Sequence, residues 1–116
     1  MIAKAYIGLV ETAQFLADAK KLIDETELVS LKSFLALHPD AGDVIPGTGG
    51  LRKLRWGIGQ RGKRGGARVI YYYHDRRMPL ILLAVYAKSS KVDLNAVEKK
   101  AAARMVAQLV EHYLKR

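Results

Sequence analysis

Residues 51 to 88 constrain the fold most. They hold three strand-like runs, LRKLRWGI (51–58), ARVIYYYH (67–74) and LILLAVYAK (80–88), joined by GQRGKRGG and DRRMP. The first run alternates, with Arg52, Leu54, Trp56 and Ile58 on one face and Leu51, Lys53 and Arg55 on the other. The second is β-branched and aromatic, and the third is apolar almost throughout, as a central strand must be. Links this short, rich in Gly and Arg, predict successive antiparallel hairpins.

Helical patterns flank this block. KAYIGL (4–9) suits a short strand, and TAQFLADAKKLI (12–23) spaces Phe15, Leu16, Ala19 and Ile23 for one helix face, with Thr12 as N-cap. DETELVSLKSFLALHPD begins with Asp24 and Glu27 at capping-box spacing, carries a stripe of Leu28, Leu31, Phe34 and Leu35, and stops at Pro39. His38, just before that proline, suits a helix C-terminus. PDAGDVIPGTGG (39–50) reads as a loop. VDLNAVEKKAAARMVAQLVEHYLKR predicts a final helix, capped by Asn95 with Glu98 or by Asp93, with Leu94, Val97, Ala101, Met105, Leu109 and Tyr113 facing the core. The order β-α-α-β-β-β-α implies one α+β domain over residues 1–116, its helices packed on a small curved antiparallel sheet.

The net charge is +9, unevenly distributed. Residues 1–51 balance to −3, residues 52–77 hold nine Lys/Arg against Asp75 alone, and residues 78–116 balance to +4. Such a concentrated excess points to a polyanionic partner, nucleic acid first. There is no cysteine, so neither disulfides nor cysteine zinc sites enter. The longest apolar run, LILLAVYA, is too short to span a bilayer as a helix, and the N-terminus lacks a signal-peptide pattern. The chain reads as a soluble cytoplasmic protein without a membrane partner.

Gly57-Ile58-Gly59-Gln60-Arg61-Gly62 matches the spacing of the dinucleotide-binding fingerprint. That motif requires a helix directly after the glycines. Here a strand follows, and Gly65 and Gly66 intervene. The stretch is instead a basic hairpin tip, suited to close approach of a phosphate backbone. The histidines, His38, His74 and His112, share no metal-ligand spacing and have no carboxylate cluster, so no metal or other cofactor is expected.

What the strands do carry is cations. Lys53 and Arg55 share a face, Arg68 opens the next strand and Lys88 closes the last. Strands hold side chains more rigidly than loops do, so these four can converge on one patch. A patch of this kind can cleave RNA without a metal. The substrate 2′-hydroxyl is the nucleophile, clustered Arg and Lys stabilise the added negative charge, and a lysine crowded by cations can exchange a proton. Tyr72, Tyr73 or Tyr86 can stack on a base, although packing on the sheet is the commoner role for each.

GDVIPGTGGLRKLRW, GKRGGARVIYYY and LLAVYAKSSKVDLN together resemble the RelE/ParE toxin superfamily in its HigB-like branch. The resemblance runs from about Gly42 to Asn95 and implies a RelE-like fold. It implies a toxin of a type II toxin–antitoxin pair, acting as a ribosome-dependent messenger-RNA endonuclease on the codon in the A site. By motif position the catalytic set is Lys53, Arg55, Arg68 and Lys88. Arg55 stands where the family pattern has a catalytic lysine. Arginine is a poor proton acceptor, so the base falls to Lys53. Arg68 is then expected to stabilise the phosphorane, and Lys88 to assist it or the leaving group. Arg52, Arg61, Lys63, Arg64 and Lys91, with Tyr86, are expected to contact RNA or the ribosome. The tyrosine that RelE-like enzymes use after the last strand has no counterpart in SSKVDL. The implied partners are the ribosome, messenger RNA and a cognate helix-turn-helix antitoxin. Two alternatives stay open: a ParE-like toxin that binds DNA gyrase, and a non-catalytic basic RNA-binding domain.

Overall fold

A computed structural model describes residues 6–57, 66–88 and 93–115. The elements are β1 (Leu9–Glu11), α1 (Ala13–Leu22), α2 (Glu25–Leu37), β2 (Asp43–Val44), β3 (Leu51–Trp56), β4 (Ala67–Tyr72), β5 (Leu80–Ala87) and α3 (Ala96–Leu114). This is the expected α+β class and order, with one strand added. Ala5 and the residues before it lie outside the described residues, as do residues 58–65, 89–92 and 116.

The three helix starts follow from local chemistry. Thr12 Oγ1 accepts from Phe15 N, Asp24 accepts from Glu27 N and Asn95 accepts from Glu98 N, the latter two with reciprocal Glu side chains that complete capping boxes. Asn95, not Asp93, is therefore the cap of α3. At its other end α2 closes on His38, whose N–H donates to the Phe34 carbonyl.

The strands run in the order β1-β5-β4-β3-β2. The sheet is mixed, and not antiparallel as expected: β1 pairs parallel with β5, Leu9 opposite Leu80. β2 forms inside the stretch read as a loop, because Asp43 and Val44 lie against Lys53 and Arg52 of β3. Past Glu11 the chain leaves the sheet, and α1 takes over the edge of β5. Thr12 Oγ1 donates to the Leu82 carbonyl at 3.0 Å, and the Asp18 carboxylate accepts from Val85 N at 3.1 Å. The backbone groups that a longer β1 would have paired thus find partners on the helix.

Both faces of the sheet are covered. Against α1 and α2 lie Leu54, Val69, Tyr71, Leu80, Leu82 and Val85, packed with Phe15, Leu31 and Leu35. Phe15, Leu31 and Leu35 are fully buried, each worth roughly 1.5–3 kcal/mol. Against α3 lie Leu51, Tyr72 and Ile81, packed with Val106, Met105, Leu109 and Tyr113. Three expected core positions, Leu16, Val97 and Ala101, are on the surface. Leu16 is 46% exposed on the outer side of α1, and Val97 is 73% exposed. The buried stripe of α3 is rotated toward Ala102, Val106 and Val110 from the one expected, and Ala101 is exposed. Alanines surround that helix, so the sequence pattern fixes its rotation weakly.

The GTGG loop seats α3. Gly49 has φ +76°, and a Cβ there would meet the Ala103 backbone at 3.3 Å. The buried Thr48 holds the turn, its Oγ1 donating to the Ile45 carbonyl at 2.7 Å and accepting from Leu51 N at 3.1 Å. The loop that opens β3 is therefore also the surface on which α3 rests.

Candidate functional site

The register of the sheet brings the cations together. Lys53 stands opposite Ile70, and Ile70 opposite Ala84; one step further, Arg55 stands opposite Arg68, and Arg68 opposite Tyr86. All six residues occupy the α3 side of the sheet, on two adjacent rows. Lys88 follows β5, its N–H donating to the Gly66 carbonyl at 3.0 Å, and continues the alternation of Ala84 and Tyr86. Three of the four expected catalytic residues thus stand on one strand-paired face, and Lys88 stands at its end.

A bulge makes this possible. The pairing of β4 with β5 shifts between Ile70 and Tyr71: Tyr71 faces Leu82, whereas Ile70 faces Ala84. One extra residue reverses which side chains of β5 point to α3. Before the bulge Ile81 packs there; after it Ala84 and Tyr86 do, and Val85 stays in the core beneath α1 and α2. Without that shift Tyr86 would lie on the opposite face from Arg68.

Arg55 directly opposite Arg68 is an electrostatic cost, because like charges on facing strand positions destabilise a sheet. Arg68 is half-buried, and its Nη1 donates to its neighbour's carbonyl on Ala67 at 3.2 Å. Tyr86 beside it is half-buried; burial pushes its hydroxyl pKa up, Arg68 pulls it down and Asp93 adds a further upward push. Tyr86 therefore lies within the fields of both a cation and a carboxylate.

Over the Lys53–Ile70–Ala84 row lies a groove of about 520 Å³ between the sheet and the entry to α3. Leu51, Lys53, Ile70, Ala84 and Tyr86 form its floor, with Ile45 at one side. Asp93, Leu94, Glu98, Lys99 and Ala102 form its wall. Arg55 and Arg68 share the row of Tyr86 but do not line the groove. The two acidic residues were legible in the sequence only as candidate caps. Asn95 serves as the cap, and Asp93 lines the groove.

The remaining expected contacts divide. Arg52 points to the other face, where its Nη1 donates to the carbonyls of Asp40 (3.1 Å) and Gly42 (2.7 Å). Arg52 thereby braces the loop before β2. Arg61, Lys63, Arg64 and Lys91 lie outside the described residues. Tyr72 is buried at the far end of β4, and its hydroxyl meets His74 Nδ1 at 2.8 Å. His74 Nε2 lies 3.6 Å from Asp75, which Arg77 holds through Nε and Nη2. Sequence spacing had not grouped these four. They sit at the opposite end of β4 from Arg68 and close the β4–β5 turn. Among the described residues no group of three His, Asp or Glu side chains is placed to hold a metal ion, and no helix is long and apolar enough to cross a membrane.

No protein-family model matches this chain.

Proposed function

We propose that this chain is a RelE/ParE-type toxin of the HigB-like branch, a ribosome-dependent endonuclease that cuts messenger RNA in the A site. The observation that carries the proposal is the row Arg55–Arg68–Tyr86 with Lys53 in the adjacent row and Lys88 at the end of the same face. A like-charged pair on facing strands is costly alone and favourable once a phosphate lies across it.

In the proposed reaction Lys53 accepts the proton of the 2′-hydroxyl as its oxygen bonds to the adjacent phosphorus. Arg68, with Arg55, neutralises the charge that develops on the phosphorane. Lys88 donates a proton to the departing 5′-oxygen as the P–O bond breaks. The products are a 2′,3′-cyclic phosphate and a 5′-hydroxyl, and the substrate supplies the nucleophile. A cognate helix-turn-helix antitoxin is the proposed partner that restrains this activity.

The test incubates the protein with programmed ribosomes and maps messenger-RNA 5′ ends, beside free RNA and a gyrase supercoiling assay. Cleavage confined to the A site on ribosomes is expected. Lys53→Ala, Arg68→Ala and Lys88→Ala are each expected to slow it by at least ~10²-fold. No A-site cleavage by the wild type sinks the proposal. If a variant loses only ribosome binding, its residue belongs to docking and not to the reaction.

A further inference from the structure

α3 meets the sheet along Ala102, Val106 and Val110. Lys99 stands one helical turn before Ala102 and two before Val106, so the same rotation turns it inward. It is half-buried and lines the groove, whereas Lys100 beside it is exposed. The GTGG loop receives its stem. Gly47 has φ +80°, and a Cβ there would meet Lys99 Cδ at 3.1 Å and Cβ at 3.7 Å. A lysine stem laid along a surface keeps its ammonium in the open space beyond, and here that space is the groove.

The groove thus has one lysine on its floor, Lys53 of β3, and another on its wall, Lys99 of α3. Among the described residues neither forms an ion pair. The two carboxylates of the wall are occupied elsewhere. Glu98 Oε1 accepts from Asn95 N at 2.9 Å in the capping box, and Asp93 is engaged in an interaction of its own. Two ammonium groups lining one cleft repel each other, and an anion between them offsets the repulsion. An ammonium only donates hydrogen bonds. The group that suits both lysines is therefore a negatively charged acceptor, and a backbone phosphate is one.

We infer that Lys99 is a substrate-binding residue, holding the phosphate on the 5′ side of the nucleotide whose 2′-hydroxyl attacks. The choice of that phosphate rests on the proposed cleavage; capture of a backbone phosphate by Lys99 depends on the groove alone. The row of Lys53 and the row of Arg55 and Arg68 are two residues apart along each strand, about 6.6 Å. That step is comparable to the one between successive phosphates of an extended RNA strand. The scissile phosphate lies across Arg55 and Arg68, and the attacking 2′-hydroxyl lies on its 5′ side, beside Lys53. The chain then continues in the 5′ direction over the groove, where Lys99 meets the next phosphate. Ile70 and Ala84 form an apolar floor on which the intervening nucleotide rests. Held at both its phosphates, that nucleotide keeps its 2′-hydroxyl in line with the phosphorus.

The test measures binding of the full chain to a short oligodeoxyuridylate, which has no 2′-hydroxyl to react, by fluorescence anisotropy over a series of salt concentrations. Lys99→Met keeps the stem on Gly47 and removes the charge, and Lys100→Met makes the same change at the exposed neighbour. Each phosphate contact with a single strand contributes about 0.7 to the slope of log affinity against log salt. Lys99→Met is expected to reduce the slope by about 0.7 and the affinity by at least ~3-fold, Lys99→Arg to restore both, and Lys100→Met to change neither. A second arm uses programmed ribosomes and places an uncharged methylphosphonate at the phosphate 5′ of the attacking nucleotide. It is expected to slow cleavage by the wild type at least ~3-fold and to slow Lys99→Met no further. No detectable binding by the wild type, equal losses in Lys99→Met and Lys100→Met, or additive effects of the methylphosphonate and Lys99→Met overturn the inference. Binding that depends on Lys99 without any ribosomal cleavage upholds the phosphate contact and removes the endonuclease; cleavage with equal losses in the two variants does the reverse.

Discussion

Replacing Gly42 with alanine tests whether the loop before β2 holds the cationic face in place. Gly42 N donates to Tyr71 Oη at 2.8 Å in a buried setting. A Cβ at this position would meet Tyr71 Cε1 and Oη at 2.9 Å and the Lys53 carbonyl oxygen at 3.1 Å. Tyr71 is fully buried, so its ring has little room to withdraw, and the Lys53 carbonyl is backbone inside β3. Overpacking of this kind costs about 1–3 kcal/mol. Displacing the buried hydroxyl from its donor adds about 1–2 kcal/mol. Together these predict a loss of about 2–5 kcal/mol, and at about 4 °C per kcal/mol for a chain of this size a fall in Tm of about 8–20 °C. Thermal unfolding followed by circular dichroism measures it. Tyr71→Phe removes the hydroxyl alone and is expected to cost about 1–2 kcal/mol. Because the added methyl collides with that same hydroxyl, the double variant should fall short of additivity by at least ~1 kcal/mol. Since the third contact is to Lys53, ribosomal cleavage by the Gly42→Ala protein, measured below its Tm, is expected to drop about 10-fold through misplacement of that side chain. A Tm within about 2 °C of wild type, or strict additivity of the two changes, refutes the reasoning.

Further outcomes follow from the same structure. Arg55→Gln removes the like-charge pair with Arg68, so it should melt slightly higher than wild type in low salt while losing cleavage; 1 M salt should erase the thermal gain, because the Debye length there is about 3 Å. Asp18→Ala leaves Val85 N without its acceptor and is expected to cost about 1.5–3 kcal/mol, read from urea unfolding with an unchanged m-value. Burial raises the pKa of Tyr71, Tyr72 and Tyr86 above the ordinary 10.0. Each hydroxyl holds its proton more tightly folded than unfolded, so stability is intact below pH 10 and falls as pH rises through and beyond it. Tyr71→Phe should reduce that alkaline slope in pH-dependent denaturation. Arg77 beside Asp75 holds its carboxyl below the ordinary 3.8, so the stabilisation it brings is present above that pH and is lost as pH falls further; Asp75→Asn should remove that part of the acid dependence.

The sequence disclosed what local chemistry decides. Thr12, Asp24 and Asn95 with their partners three residues on marked the helix starts, because a cap and its helix lie within one turn. Alternation in LRKLRW put Lys53 and Arg55 on one face for the same reason. The parallel pairing of Leu9 with Leu80 had no such signal: its partners are far apart in sequence, and three residues are too few to show a period. The rotation of α3 was misjudged because Ala101, Ala102 and Ala103 fit either side of it. For the candidate site, the cations were legible as a set, and the bulge at Ile70 that turns Tyr86 toward Arg68 was not. Bulges depend on the pairing of two strands, and neither strand announces one alone. The carboxylate wall of the groove was hidden by a double meaning, since Asp93 and Asn95 are both good helix caps and only one of them is used.

The placement of β5 has a consequence in time. Thr12 bonds to a carbonyl 70 residues further along the chain. At the usual pace of synthesis, about 5–20 residues per second, roughly 4–14 s pass between making the two. From the moment each is made until β5 emerges, Phe15, Leu31 and Leu35 exist without the strand that buries them. The same strand carries Ala84 and Tyr86, and Lys88 directly follows it. A nascent chain halted before β5 therefore has neither a sealed interior nor a finished cationic face, and the two are completed by the same few residues of growth.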